Sequence, residues 1–213
     1  MEIEDRIDIQ VIGDLLMFYE SDLGYIRNFQ LFKKGEISPG AYCEKKQGTF
    51  YSFLIEFRVT RNFEKNKVDR LLEITRDWVI SESSDRVDEF AIHLNDEGIT
   101  HGKIMTVMAS KILFLNNPWK ILPMDSLGKS AVGQNDNFYG NYLPRIQEAR
   151  EQILPNIKKK LSRVEPYLEQ IEDLYYPVLK EPTVIRENRF IDKLLWTLGK
   201  TGRTFYGDYA LKQ

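Results

Sequence analysis

Lys103, Lys111 and Asp125 fall within the most distinctive segment of the chain, Gly98 to Gly133. There Gly98-Ile99-Thr100-His101-Gly102-Lys103 opens an apolar helix, and Leu122-Pro123-Met124-Asp125-Ser126 closes the link that follows it. An aspartate followed by serine at a helix start is an ordinary cap worth about 1 kcal/mol. Lys111, on the apolar helix, reads as a stem reaching to solvent, and Lys103 as more exposed still. Trp119 beside Pro118 reads as a core plug or as an aromatic platform. Arg86 and His93, seven apart on one helix, share a face. Other chemistries lack their parts. There is no glycine-rich phosphate loop with its following lysine and no dinucleotide fingerprint, which argues against nucleoside triphosphate hydrolysis and a nicotinamide or flavin cofactor. The soft ligands are His93, His101 and the remote Cys43, without ligand spacing, so no metal and no cofactor is expected. Cys43, the single cysteine, reads as the reduced thiol of a cytoplasmic protein.

The elements that must position these residues are helical. Ile7, Val11, Ile12, Leu15, Leu16 and Tyr19 form one stripe, which predicts a first helix over about 6–20. From Phe29 to Gly48 the period fades and Gly35, Ser38, Pro39 and Gly40 supply turn chemistry, which predicts a connecting loop. Phe50, Phe53, Leu54 and Phe57 return to helical spacing, but the aromatic and branched composition of 49–60 also fits a small strand element. Val68, Leu71, Leu72, Trp78 and Val79 predict the next helix. Ser84 and Asp85 would cap another, whose inner face is Val87, Phe90, Ala91 and Leu94. An apolar helix over about 103–115 then stops at Asn116-Asn117-Pro118. Tyr142, Leu143, Ile146 and Ile153 start a long helical region that Pro155 and Pro166 should divide, and a final helix over about 186–199 buries Phe190, Leu194, Leu195 and Trp196. Leu72, Phe90, Val107, Met108, Leu113 and Leu195 are the expected core markers.

Composition agrees with a packed, mainly α fold. With 213 residues, 42% hydrophobic and 29% charged, the chain has material for a core and reads as one compact globular domain over residues 1–213. Its formal net charge of -2 means that a nucleic-acid surface would have to come from local clustering. The run Lys158-Lys159-Lys160 with Arg163 is a solvated helix face or a phosphate contact. Met1-Glu2-Ile3-Glu4-Asp5 is acidic where a secretory signal would be basic, and no apolar run approaches 18 residues, so neither export nor a membrane partner is expected.

Several short motifs resemble those of the helix-hairpin-helix DNA glycosylase superfamily, more narrowly the bacterial proteins of 8-oxoguanine DNA glycosylase fold. They are Ser110-Lys111-Ile112-Leu113 in the apolar helix, Asn117-Pro118, Pro123-Met124-Asp125-Ser126, and the late run Asp192 to Gly199. The likeness covers about residues 98–145 and 186–200. It implies a protein that binds DNA or a modified base. It further implies a lysine amine that attacks the sugar carbon bearing a damaged base and forms a Schiff base, which needs a neutral amine of lowered pKa. Lys103 and Lys111 stand 22 and 14 residues before Asp125, and both are candidates for that nucleophile. Asp125 would stabilise positive charge developing on the sugar. Ser126, Trp119, Phe138 and Tyr139 would hold the base once it has left the stack. A non-catalytic helical module binding a protein partner is the second reading. A third comes from Arg86 and His93, whose spacing resembles the signature of the HEPN ribonucleases.

Overall fold

The computed structural model describes residues 3–210 apart from position 62. In chain order the helices are α1 (Ile3–Lys33), α2 (Pro39–Cys43), α3 (Phe50–Glu56), α4 (Val68–Val79), α5 (Val87–Asp96), α6 (Thr106–Asn116), α7 (Ser126–Ala131), α8 (Tyr139–Leu161), α9 (Glu165–Asp173) and α10 (Pro182–Lys200). Among the described residues there is no strand, and no helix is long and apolar enough to cross a membrane. The strand alternative for 49–60 is thereby corrected. Thr49 begins α3 with a reciprocal cap, accepting from the Ser52 backbone while the Ser52 hydroxyl accepts from its own. Phe50, Phe53 and Leu54 then bury one helical face, which a period of two could not do.

The chain divides into two compact units, residues 21–123 and residues 1–20 with 124–213. In the first, α6 is the central element. Met108, Ala109, Ile112, Leu113, Phe114 and Leu115 are all buried, as expected of a helix that is apolar on every side. Its carboxyl end exposes carbonyls that need donors. Gln30 Nε2 donates to the Leu115 and Asn116 carbonyls at 2.9 and 3.0 Å, and Lys33 Nζ donates to Asn116 Oδ1 at 2.9 Å. Leu71, Leu72, Phe90 and Leu94 complete the interior, with rings from Phe29, Tyr42, Phe50 and Phe53.

The expected loop over 29–48 is corrected here. α1 runs to Lys33, and α2 follows after a turn at Gly35, whose φ of 80° suits glycine. Between Asp22 and Phe32 the buried positions of α1 are 22, 23, 25, 26, 29 and 32, spread around the helix, so no single stripe marks it in sequence. α5 begins at Val87 without a side-chain cap, since Asp85 instead accepts from Asn117 Nδ2 at 2.8 Å.

In the second unit α8, α9 and α10 surround Ile146, Ile153, Ile157, Leu168, Phe190, Ile191 and Leu194, together with Val11, Leu15 and Tyr19 from the start of α1. α8 continues through Pro155, against expectation, while Pro166 does stand at the start of α9. A proline inside a helix costs about 3 kcal/mol. The buried stripe Ile146, Ala149, Ile153, Ile157 and Leu161 crosses that position and outweighs the loss. α10 starts at Pro182, a favoured first helical residue, four positions before the expected Arg186. Of the six core markers, five are buried and Val107 is half-buried.

Candidate functional site

The residues singled out in the sequence fall into both units: Lys103, Lys111 and Trp119 into residues 21–123, and Asp125, Ser126, Phe138 and Tyr139 into 124–213. Lys103 is exposed and does not begin a helix. The Thr100 hydroxyl donates to the Lys103 carbonyl at 2.5 Å and closes a turn, so α6 starts only at Thr106. Lys111 is half-buried on α6, and its Nζ donates to the Phe57 carbonyl at 2.9 Å, so its amine is tied to the backbone rather than extended to solvent. Trp119 is half-buried in the turn after α6.

Asp125 is the N-cap of α7, with Oδ1 accepting from the Gly128 backbone at 2.7 Å. Its carboxylate is half-exposed, while Ser126 is exposed. A Cβ placed on Gly128 would come within 2.6 Å of the Tyr142 hydroxyl, so that hydroxyl lies directly against the first turn of α7. Burial, followed by the charges of Asp192 and Asp125, pushes the Tyr142 hydroxyl well above its ordinary value. The ring of buried Tyr139 packs on that of Tyr142 with centroids 5.9 Å apart. Asp125, Tyr139 and Tyr142 therefore lie together at the first turn of α7, where helix-start N–H groups favour negative charge, and the charge of Asp192 also acts on the protonated phenol. Sequence reasoning missed Tyr142 and Asp192, because it read one as the apolar start of a helix and the other as part of a terminal motif.

The segment before α8 is organised by Asp136. Its Oδ1 accepts from the Phe138 backbone and from Gln134 Nε2, each at 2.8 Å, and its Oδ2 accepts from Asn141 Nδ2 at 3.2 Å. These donors, the Phe138 N–H first, hold the Asp136 carboxyl below its usual range. Buried Lys129 donates to the Asp136 carbonyl at 3.0 Å and to Asn137 Oδ1. Phe138 is presented on this frame 53% exposed, with its ring so close over Gly140 that a Cβ there would lie 2.7 Å from it. Phe138 has the exposure of a platform, whereas Tyr139, at 4% exposed, can only line the wall behind it.

A further polar cluster lies inside the same unit. Arg186 donates from Nε and Nη2 to Glu172 at 2.8 and 2.7 Å and from Nη1 to Glu165 at 2.8 Å, while the Tyr19 hydroxyl donates to Glu172 Oε1 at 2.7 Å. A cavity of about 280 Å³ beside it is lined by Lys158, Glu165, Thr183, Arg186 and Glu187 among others. Arg186 is paired with two carboxylates through all three of its nitrogens, so the cluster reads as structural support. Its sequence, Arg186-Glu187-Asn188-Arg189, looks like a solvated face, yet all four residues are buried.

The remaining candidates have other partners. Arg86 sits just before α5 with its guanidinium on both Glu89 oxygens at 3.1 Å, and the His93 ring stacks on Trp78 with centroids 5.3 Å apart. Burial, then the hydrogen bond to Asp69, pushes the Cys43 thiol up to about 12. At pH 8 iodoacetamide should therefore alkylate Cys43 on the order of a thousandfold more slowly than a free thiol. A mass-spectrometric time course measures this, and a rate near that of glutathione would show that the thiol is not held protonated. No protein-family model, no curated protein sequence and no solved structure matches this chain.

Proposed function

We propose that this chain is a DNA-glycosylase-like helical protein that binds DNA or a modified base at the Asp125 site. The observation that carries the reading is Asp125 itself, half-exposed at the start of α7 directly after Pro123-Met124, in the unit that also holds Phe138 and Tyr139. A carboxylate in that position is suited to stabilise a cationic sugar, and an exposed ring on a rigid frame is suited to stack an extruded base. Base excision through an imine would fall to Lys103 or Lys111, the two amines that the resemblance offers.

The test separates binding from chemistry. Duplexes carrying 8-oxoguanine or an abasic site should bind more tightly than undamaged duplex, and Phe138→Ala should weaken that preference about tenfold, the worth of one stacked base. Borohydride trapping with wild type, Lys103→Ala and Lys111→Ala then reports whether an imine forms and on which amine, and Asp125→Asn should slow release of the base while leaving binding in place. Equal, weak affinity for damaged and undamaged duplex would sink the reading. It would leave the interaction module, which the exposed apolar surface of α1 favours.

A further inference from the structure

Residues 6–20 of α1 bury one face through Val11, Leu15 and Tyr19 and leave the opposite face open. That open face is apolar at its centre, with Ile9 59%, Leu16 37% and Met17 72% exposed. Together with Arg6, Gly13 and Glu20, all exposed, these residues form a seam: positions 6, 9, 13, 16 and 20 follow the three-four spacing that holds two helices in register. Gly13 stands at its midpoint, and a Cβ placed there meets nothing within 4 Å. At the end of the seam the Tyr175 hydroxyl donates to the Glu20 carbonyl at 3.1 Å, and its chain neighbours Leu174 and Tyr176 are exposed. Methionine and aromatic groups are common at the centres of protein interfaces.

The charges on this seam select its occupant. Arg6 precedes Gly13 by seven residues and Glu20 follows it by seven, each about 10 Å along the helix axis. We propose that α1 pairs antiparallel with α1 of a second copy of this chain, the two helices crossing at Gly13 on a two-fold axis. In that register Arg6 of each copy faces Glu20 of the other, and Ile9 faces Met17. The surface is thus complementary to itself in charge, as a two-fold interface requires, and Leu16 comes opposite Gln10. The glycine lets the two backbones approach at the crossing.

Sedimentation equilibrium across a concentration series should show a monomer–dimer equilibrium. Arg6→Glu and Glu20→Arg should each weaken the dimer about tenfold, and the double reversal should restore it, because the exchanged charges again meet their opposites. Both substitutions are at exposed positions, and circular dichroism checks that each variant is folded. In a Cys43→Ser background, Gly13→Cys should form a disulfide-linked dimer under mild oxidation, since only a two-fold axis at that position brings the residue against itself. A monomer at every concentration overturns the proposal. A dimer indifferent to the single reversals, or one that Gly13→Cys does not cross-link, overturns it equally, because the contact would then lie elsewhere or in another register.

Discussion

Arg186→Ala is expected to destabilise the unit built from α8, α9 and α10 by about 3–5 kcal/mol, because it leaves a buried carboxylate without its counter-charge. The side chains of Arg186 and Glu172 are only 4% and 6% exposed, and the pair is bidentate. Burial alone would lower the Arg186 pKa, but the hydrogen bonds and charge of Glu172 outweigh it and hold the guanidinium above its ordinary value. Burial and then the Glu172 charge likewise raise the Tyr19 hydroxyl, which stays a donor to that carboxylate. A folded value above the unfolded one makes this contribution complete below pH of about 10, and it is lost as the pH climbs towards the folded value. Glu165→Ala is the contrast: that side chain is 48% exposed, and its loss should cost under about 1 kcal/mol. Denaturant unfolding at two pH values measures both. A deficit below about 1 kcal/mol for Arg186→Ala would mean that water reaches the cluster.

Gly199→Ala should lower the melting temperature by roughly 6–12 °C, the equivalent of about 3 kcal/mol for a chain of this size. Near its end α10 lies so close to the start of α7 that a Cβ on Gly199 would sit 2.2 Å from the Leu127 carbonyl oxygen and 2.7 Å from the carbonyl carbon. These are backbone atoms, and no side-chain rotation relieves the clash; the two helices must separate. Alanine has the higher helix propensity, by up to about 1 kcal/mol over glycine in a helix interior. The expected loss thus opposes propensity in sign, which makes it diagnostic of the close approach. Because Leu127 follows Asp125 by two residues, the same variant should also shift the cap that holds the aspartate and weaken binding of a damaged duplex. An unchanged or raised melting temperature would refute the packing described here.

The residues themselves explain which expectations survive in the structure. α4, α5 and the later part of α10 were readable because each buries a stripe whose period is set by its own backbone, as Leu72, Phe90 and Leu195 illustrate, and α6 because its apolar run is nearly unbroken. The cap at Asp125 was readable for a similar reason, since its partner is the Gly128 N–H three residues on. The second half of α1 was not, because a helix buried on several sides has no polar stripe to give it a phase. Lys111 was read as a solvent-reaching stem, and its acceptor, the Phe57 carbonyl, is 54 positions away.

The helical class, the apolar faces and the cap that carries the candidate site are legible in the residues alone, because all of them depend on residues within a turn or two of one another. The packed fold alone reveals that Arg186 and Glu172 are interior, that Tyr142 lies beside Asp125, and that Phe138 rather than Tyr139 faces outward. The physical reason is the cost of burying charge. A charged side chain can enter the core only where partners neutralise it, and those of Glu172 come from 14 residues later and 153 residues earlier in the chain. No local pattern in composition or period records a pairing at such separation.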